Sequence, residues 1–507
     1  MSSARDVQRK RIRSEIEALE SLDERLLQSQ RALDEAHDEL AAARAKYDAV
    51  KVENDELKRR RAVLDTGLTA VRALYRRSLW MEAVPNDILR MIFVARVEMY
   101  DECWPAIGQG EYNEERDHGP FALAAVCSRW RTLALATPCL WSYLGAEAGD
   151  NADLRAVDLA KFKLLLRRSE SAPLDLLLLN RQWDREGTAA RTRNLGRLFS
   201  LLLGHSTRLR RVEIHFPIGV ERDPLMAVFR SPTPALTELF VAVGSDSTWD
   251  DDVCESYLPI APKLRALELC HTGMFCSSRH PGFPRLQTLK LWGGRLGHSP
   301  IAFISRAAQN LDTLHLSYAS FAHDEELEGV SLPLSFPRLI NLILTNNVEV
   351  LSYIETPHLQ TMTLNSDCVV TEISPFLHAV SRSVTTLTLE GTSTCEEDLP
   401  ILGELVNLEL LSFATSTTDD YRVDDHFFVS LADAVPPVWP KLRRLNFRCN
   451  GAIDPPNGDG LILFVQSRNI PRNGLDDASP PSSRIEEVNL SCHDVPNWLR
   501  ATIAALL

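Results

Sequence analysis

A chain of 507 residues, 45% hydrophobic and 24% charged, has the composition of a soluble globular protein and is long enough for about two to four domains. The formal net charge of −14 argues against a nucleic-acid partner, and no apolar run approaches the ~20 residues that a membrane helix needs. Ten cysteines without paired C-x-x-C spacing, and no secretory signal after the basic start, predict reduced thiols in the cytoplasm and/or the nucleus.

The first 65 residues predict one long helix, because they contain no Pro or Gly and are rich in Ala, Leu, Glu and Arg. A seven-residue apolar spacing predicts a coiled coil, which we assign to residues 1–75, and Asn54 at an a position is typical of a fixed register. Small d residues weaken the seam, so a homodimer and folding back onto the same chain are both alternatives. The a positions are Leu19, Leu26, Leu33, Leu40, Tyr47, Asn54 and Arg61, and the d positions are Leu22, Ser29, Ala36, Ala43, Val50, Leu57 and Leu64.

Two sets of apolar residues at helical spacing lie between residues 79 and 144. Pro85 suits the first turn of a helix because its missing N–H needs no partner there, and Thr137 with Pro138 would end the second helix. Two short helices with this much apolar surface either pack on the rest of the chain or present a groove to a partner. The first helix carries Ile88, Leu89, Ile92 and Phe93, and the second carries Leu123, Val126, Cys127, Trp130 and Leu133.

The order of these residues resembles an F-box. Residues 84–93 read Val-Pro-x-Asp-Ile-Leu-x-x-Ile-Phe, residues 126–131 read Val-Cys-x-x-Trp-Arg, and Leu140-Trp141 follows. F-box proteins are the substrate-recognition subunits of SCF-type ubiquitin ligases, and their F-box binds the Skp adaptor, which connects them to a cullin and a RING protein. The resemblance therefore implies a small all-α F-box at residues 76–146 whose adaptor-binding residues are Pro85, Ile88, Leu89, Ile92, Phe93, Val126, Cys127, Trp130 and Trp141.

An acidic insertion at residues 96–119 lengthens the spacer between the two halves of this motif. Charges beside an apolar docking site change which partner is chosen. An interaction scaffold without a ligase role is therefore the alternative to a ligase subunit. An ordinary helical hairpin with buried tryptophans is a further alternative, since apolar helix faces are usually core.

The pattern L-x-x-L-x-L recurs through residues 147–507, with most starts about 20 to 28 residues apart, the spacing of leucine-rich repeats. A Pro-Lys-Leu or Pro-Arg-Leu lead-in recurs at residues 262, 284, 337 and 440. One repeat cannot bury its own apolar face, so neighbours stack into an α/β leucine-rich-repeat solenoid. Return helices are expected at residues 195–203, 301–308, 375–381 and 427–434. The repeats start at Leu174, Leu209, Leu236, Leu264, Leu286, Leu311, Leu339, Leu359, Val384, Leu408, Leu442 and Ile485.

Residues between the inward positions of each repeat face the concave surface, which is a common binding surface. In the first repeat Leu174, Leu177 and Leu179 are expected inward and Leu178 outward, and Glu213, His215 and Glu268 are further outward positions of later repeats. Aromatic and charged members without a basic stripe favour a protein partner. The candidate target-binding residues are Phe240, Lys290, Trp292, His315 and Arg448.

Motifs of catalysis are missing from the sequence, including GxSxG, GxxxxGK[ST] and HExxH. Cys270, His271, Cys276 and His280 match no standard zinc spacing. We therefore predict a multidomain, non-enzymatic adaptor without a cofactor or metal site. Its N-terminal coiled coil and F-box precede the repeats, which bind a protein target for ubiquitination.

Overall fold

The computed structural model divides into two compact units, Met1–Leu89 and Arg90–Leu507. Within the part of the chain that the structure describes, no helix is both long enough and apolar enough to cross a membrane. The described residues are 2–102, 112–148, 159–180, 189–216, 227–243, 257–271, 282–293, 295–296, 304–305, 307–317, 320–321, 332–346, 348–365, 370–391, 394–414, 425–448, 458–470, 482–491 and 495–507.

The first unit is dominated by helix α1, Ser2–Ala83, which confirms the predicted long helix. At 1.5 Å per residue its 82 residues span about 120 Å. The apolar side chains at its a and d positions are exposed, from Leu19 to Leu64. Helix α2, Asn86–Glu102, begins immediately after Pro85, whose carbonyl oxygen accepts the N–H of Leu89 at 3.1 Å.

Helices α3, Glu114–Val126, and α4, Ser128–Leu135, replace the single helix that the spacing predicted. The prediction is wrong at Cys127, whose extended backbone (φ −159°, ψ 172°) separates the two helices. The exposed Cys127 caps α4, because its Sγ accepts the backbone N–H of Trp130 at 3.4 Å. A short 3₁₀ helix, Pro138–Trp141, then leads into the sheet.

The acidic insertion is helical at both of its ends. It starts within α2, and its last residues form the first turn of α3, where Asn113 accepts the N–H of Arg116 at 2.8 Å. Glu114, Glu115 and Asp117 lie in that first turn, where carboxylates are favoured by the helix dipole. These acidic residues therefore stabilise a helix.

The second unit is built on a sheet of thirteen parallel strands, ordered β1-β2-β3-β4-β5-β6-β8-β11-β13-β14-β15-β16-β17. Alternate side chains of each strand are buried leucines or similar residues, such as Leu342 and Leu344. Stacked neighbouring strands bury these faces, so the solenoid-like α/β architecture is confirmed. The strands are β1 Tyr143–Ala148, β2 Leu174–Asn180, β3 Leu209–Phe216, β4 Glu238–Val243, β5 Ala266–Cys270, β6 Thr288–Trp292, β7 Arg295–Leu296, β8 Thr313–Ser317, β9 Ser320–Phe321, β10 Leu334–Ser335, β11 Asn341–Thr345, β12 Ile354–Glu355, β13 Thr361–Asn365, β14 Thr386–Glu390, β15 Leu410–Ala414, β16 Arg444–Arg448 and β17 Glu487–Leu490.

The recurrent proline lead-in is a turn before a strand. The N–H of Leu264 reaches the carbonyl oxygen of Ala261 at 3.2 Å, and that of Leu286 reaches Phe283 at 3.1 Å, with proline at the second position of each turn. The same bonds recur before β11 and β16. Proline fixes the φ angle that this position requires, which explains the repetition of the lead-in.

A carbonyl ladder joins successive repeats just before each strand. Each of its oxygens accepts two consecutive backbone N–H groups of the next repeat; the oxygen of Arg265, for example, accepts from Gln287 at 2.8 Å and Thr288 at 2.9 Å. Backbone groups buried between strands are therefore paired before the strands begin. The ladder consists of the carbonyl oxygens of Thr237, Arg265, Gln287, Asp312, Ile340, Gln360, Thr385, Glu409 and Arg443.

Return helices connect several of the strands. Those expected at residues 195–203, 375–381 and 427–434 are confirmed within one to six residues at their ends, and the one expected at residues 301–308 lies partly outside the described residues. The α-helices that follow α4 in the described residues, including these three, are α5 Leu159–Arg168, α6 Ala189–Leu203, α7 Ser374–Val380, α8 Leu399–Leu402, α9 Asp425–Asp433, α10 Asp459–Asn469 and α11 Asn497–Leu506.

The first repeat departs from the predicted register. The pairing of β2 with β3 shifts between Leu174 and Asp175, so Leu176 and Leu178 lie beside the buried Val212 and Ile214. Leu177, expected inward, instead lies beside Glu213, and the outward assignment of Leu178 is wrong. A shift of one residue exchanges the faces of a strand, and a run of four leucines offers the same hydrophobicity in either register.

Candidate protein-docking surfaces

The apolar residues of α2 divide between a buried and an exposed side. Leu89 and Phe93, four residues apart, are each only 1% exposed. Ile88 is 45% exposed, Met91 66% and Ile92 53%. Large apolar side chains that remain in water side by side mark a surface suited to a protein partner.

An apolar cavity of about 380 Å³ lies between α2, α3 and α4, beside the exposed Ile92. Its floor includes Phe93, whose ring meets the indole of Trp130 edge-on with 5.0 Å between centroids. Val126 is 60% exposed and also lines the cavity. A cavity of this size accepts one or two apolar side chains of a partner, the arrangement that anchors protein interfaces.

We name this region the helical docking surface: Met91, Ile92, Val126, the exposed part of Trp130 and the cavity. Of the predicted adaptor-binding residues, Ile92, Val126 and Cys127 are exposed on this unit and Trp130 is partly exposed. Pro85 and Ile88 are exposed in the N-terminal unit.

Trp141 is a core residue, fully buried after the 3₁₀ helix. Its Nε1–H donates to the carbonyl oxygen of Ala134 at 2.8 Å, and the guanidinium of Arg168 lies 4.3 Å from its ring. A side chain enclosed in this way cannot contact a docked partner. We therefore revise the expected roles of Leu89 and Trp141, which are buried and support the fold, whereas the buried Phe93 also lines the cavity.

Buried ion pairs hold α3 against the sheet. Arg116 Nη2 lies 2.6 Å from Asp175 Oδ2 on β2, and both side chains are almost wholly enclosed. Arg210 of β3 binds the same carboxylate at 2.6 and 2.9 Å. The neighbouring Asp117 contacts Tyr112 and Lys161. Removing one member of a buried pair is costly, so these contacts fix the helices relative to the repeats.

A second candidate surface lies on the sheet face opposite the leucine core, and we name it the sheet patch. Strand register places its residues in two adjoining rows, one through Lys290 and one through Trp292. Leu291, between these two rows, and Leu289, just before Lys290, point into the core. The sheet patch consists of Glu213, His215, Phe240, Glu268, Cys270, Lys290, Trp292 and His315.

Glu268 is the polar centre of the sheet patch. Lys290 Nζ lies 2.9 Å from its Oε2, and the Trp292 Nε1–H donates to its Oε1 at 2.9 Å. The Trp292 ring lies 4.4 Å from that of His315 between centroids. At the other end, Glu213 contacts His215 at 3.2 Å. Charge pairs fix the aromatic rings, so the surface is pre-organised.

Burial shapes the protonation states of this patch. It raises the pKa of Glu268, against the lowering effect of Lys290, and raises the pKa of the Cys270 thiol to about 12. It also lowers the pKa of His315 to about 4, with Lys290 adding to the effect. At neutral pH the thiol is protonated, which makes it a poor nucleophile, and the imidazole of His315 is neutral.

Apart from Glu268 Oε2, which keeps its ion pair with Lys290, two polar atoms of the sheet patch have no hydrogen-bond partner among the described residues, Oε2 of Glu213 and Nε2 of His315. Both side chains are more than nine-tenths buried. A buried polar atom without a partner costs free energy that a bound donor or acceptor would recover. These two atoms are therefore unsatisfied polar groups enclosed within the patch.

The target-binding residues predicted from sequence fall into two groups. Phe240, Lys290, Trp292 and His315 come together in the sheet patch, although Phe240 is only 5% exposed and forms its floor under His215. Arg448 ends β16, five strands beyond β8, which is about 24 Å away at the usual strand spacing.

Glu213 and Glu268 were placed on the concave surface but not among the candidate target-binding residues, and Cys270 was considered only as a metal ligand. Glu213 and Glu268 occupy outward positions in the repeat pattern, but only the register of β3 to β8 shows which aromatic and basic residues lie beside them. Cys276 and His280, considered as metal ligands, lie outside the described residues. Among the residues that are described, no group of three or more His, Cys, Asp or Glu side chains is placed to hold a metal ion.

Both surfaces have the chemistry of protein recognition, one apolar and concave and the other aromatic with paired charges. A search of the sequence against models of known protein families and against curated proteins finds no match.

Proposed function

We propose that the chain is the non-enzymatic substrate-recognition subunit of an SCF-type ubiquitin ligase, with an F-box that binds the Skp adaptor and leucine-rich repeats that bind the target. The observation that carries this proposal is the exposure of Ile92 and Val126 beside the apolar cavity. Both residues belong to the set that the F-box resemblance assigns to adaptor binding.

In the proposed complex, apolar side chains of the adaptor cover the helical docking surface and enter its cavity. Burial of apolar area contributes about 25 cal/mol per Å², so covering a few exposed side chains of this size supplies several kcal/mol. Through the adaptor the chain joins a cullin and a RING protein. The proposed location is the cytoplasm and/or the nucleus, where such an assembly would meet its targets.

The target half of the proposal rests on the sheet patch. Its rigid rings offer contact area at a small entropic cost. The pair Arg116–Asp175 keeps α3 and the sheet in one arrangement. A target held there would be presented to the ligase at a constant distance and orientation, which is how a receptor without catalytic groups accelerates transfer.

The experiment is co-purification of the full chain with the Skp adaptor, comparing the wild type with Ile92→Asp/Val126→Asp. Both side chains are exposed, so the substitutions leave the core intact while placing two charges on the docking surface. We expect adaptor binding to fall by at least about tenfold, since an unpaired charge in an apolar interface costs more than 1.4 kcal/mol.

The matched control is Leu463→Asp/Ile470→Asp, which replaces two apolar residues of similar exposure elsewhere in the same unit. This control should bind the adaptor as the wild type does. Failure of the folded wild type to bind the adaptor overturns the ligase proposal.

The second candidate function is a leucine-rich-repeat scaffold without a ligase role. It is favoured by the acidic first turn of α3, where the exposed Glu115 pairs with Arg96 of α2 at 2.8 Å, close to the cavity lined by Arg96. Carboxylates there select against an acidic partner surface. The scaffold function is supported if neither the wild type nor a Glu114→Lys/Glu115→Lys variant binds the adaptor.

A further inference from the structure

The apolar stripe of α1 extends beyond the heptads first identified in the sequence. Ile12 occupies an a position before Leu19, and after Leu64 the a and d positions are Leu68, Val71 and Tyr75. All of these side chains are exposed, with Leu68 at 47% and Leu64 at 72%. An apolar stripe of this length, interrupted at its a positions only by Asn54 and Arg61, favours burial against another helix.

Charges flanking the stripe identify the other helix as a second copy of α1. In a parallel, in-register pair each g position meets the following e position of the other chain. Glu39 would then face Arg44 of the partner subunit, and Glu53 would face Lys58 of the partner subunit. Arg60 would likewise face Asp65 of the partner subunit. Lys46 opposite Lys51 of the partner subunit is the one repulsive pair in this stretch.

Asn54 selects the direction of the pair. In a parallel dimer an a residue meets the same a residue, so two asparagine amides hydrogen-bond each other within the seam. In an antiparallel pair Asn54 would face an apolar d residue without a partner for its amide. Arg61, the other polar a residue, has a long stem that lets its charge reach water.

Existing ion pairs along α1 do not prevent this association. Arg60 pairs with Glu56 at 3.3 Å and Lys58 with Asp55 at 3.7 Å, and these side chains are half-exposed or more. Exposed pairs of this type contribute at most about 1 kcal/mol. They can exchange for contacts across the seam at little cost.

We propose that α1 helices of two copies of this chain form a parallel, in-register, two-stranded coiled coil. Its stronger part runs from Tyr47 to Tyr75, because the d positions before it are the small Ser29, Ala36 and Ala43. The dimer carries two sets of the surfaces described above, and a target with two recognition segments would bind it with higher avidity. The dimer itself does not depend on the ligase function.

The first test is the mass of the full chain by sedimentation equilibrium at micromolar concentration. The chain mass is 56.9 kDa, and we expect about twice that value. Leu57→Asp/Leu64→Asp places charges in the seam and should return the protein to the monomer mass. The matched control, Leu27→Asp/Val52→Asp, removes two equally exposed apolar residues outside the seam and should remain dimeric.

The second test fixes the direction of the helices. Ala36→Cys places a thiol at a d position, where a parallel in-register pair brings the two equivalent residues together. Oxidation should yield a covalent dimer in high yield, whereas Glu35→Cys, one position earlier and outside the seam, should yield little beyond the unmodified chain.

A monomeric wild type, a trimeric mass, or equal cross-linking of the two cysteine variants overturns the proposal. Circular dichroism of Leu57→Asp/Leu64→Asp shows whether the variant has dissociated or unfolded. If it has only dissociated, the circular-dichroism signal of the folded second unit should persist.

Discussion

Leucine periodicity has opposite outcomes in the two units of the molecule. In α1 the repeated apolar residues, such as Leu33 and Leu40, are exposed, whereas in the sheet Leu342 and Leu344 are completely buried. The difference lies in the neighbour that each element has within its own chain. A strand pairs with the next repeat about 25 residues later, so the sheet supplies its own partners. In the proposed dimer, the α1 stripe takes its partner from a second copy of the chain.

Ion pairs are also buried in the second unit and exposed on α1. The largest expected loss in the free energy of unfolding therefore comes from breaking a buried pair. Asp175→Ala leaves Arg116 and Arg210 without their shared carboxylate inside the protein. We expect a loss of about 3–5 kcal/mol in the free energy of unfolding. Urea unfolding followed by tryptophan fluorescence measures it, because Trp130, Trp141, Trp292 and Trp439 all belong to the second unit.

The matched substitution on α1 is Glu56→Ala, which removes an acceptor of exposed pairs with Arg59 and Arg60. Surface pairs contribute less than about 1 kcal/mol, so its unfolding curve should overlap that of the wild type. Equal losses for Asp175→Ala and Glu56→Ala would contradict the contrast between the two units.

Truncation of leucines gives the next largest effect. Leu342→Ala should destabilise the second unit by about 2–5 kcal/mol, because it leaves a cavity inside the sheet core. Leu33→Ala, at an exposed a position, should leave the fluorescence-detected unfolding of the second unit unchanged and weaken only the dimer. The checks are urea titration for the first variant and sedimentation for the second.

Much of the architecture follows from the sequence, and the places where it does not have physical causes. Absence of Pro and Gly predicted α1, and spaced leucines with proline turns predicted the stacked strands. Cys127 was placed in a helix by its helical spacing, and no cap was expected there because cysteine is not among the usual N-capping residues, yet its sulfur accepts the Trp130 N–H. The register of β2 is ambiguous in a run of leucines.

The candidate surfaces were only partly predictable for a related reason. The motif gave Ile92 and Val126, but motif matching does not distinguish exposed positions from buried ones such as Trp141. In the sheet patch, the contact of Glu268 with Trp292 joins residues 24 positions apart in the chain, and it depends on strand register.

Alanine scanning of two glycines should shift stability in opposite directions. Gly293 has φ +68°, and a Cβ there would overlap the imidazole of His271, so Gly293→Ala should cost about 1–3 kcal/mol. Gly67 lies in α1 with no atom near its missing Cβ, and Gly67→Ala should increase helix stability by about 1 kcal/mol. Thermal unfolding of each variant by circular dichroism provides the measurement, and shifts of the same sign would contradict this account.

Acid should weaken the second unit through His315, an effect that appears only below pH 6.5. Its folded pKa of about 4 lies below the ordinary value of 6.5, so the unfolded chain takes up the proton first. Stability is therefore fully present above pH 6.5 and is lost as the pH falls toward 4. His315→Gln should flatten this slope in urea titrations between pH 7 and 4.5. The control His37→Gln, on α1, should leave it unchanged.

The carbonyl ladder affects which side chains of the sheet can change without disturbing the fold. Successive repeats are joined through main-chain atoms, from Thr237 to Arg443, so the joints are indifferent to the outward side chains. A substitution at one outward position changes one side chain of the outward sheet face, while the adjacent strands keep their spacing. The scaffold is thus suited to acquiring new specificities one residue at a time, by natural drift or by library selection.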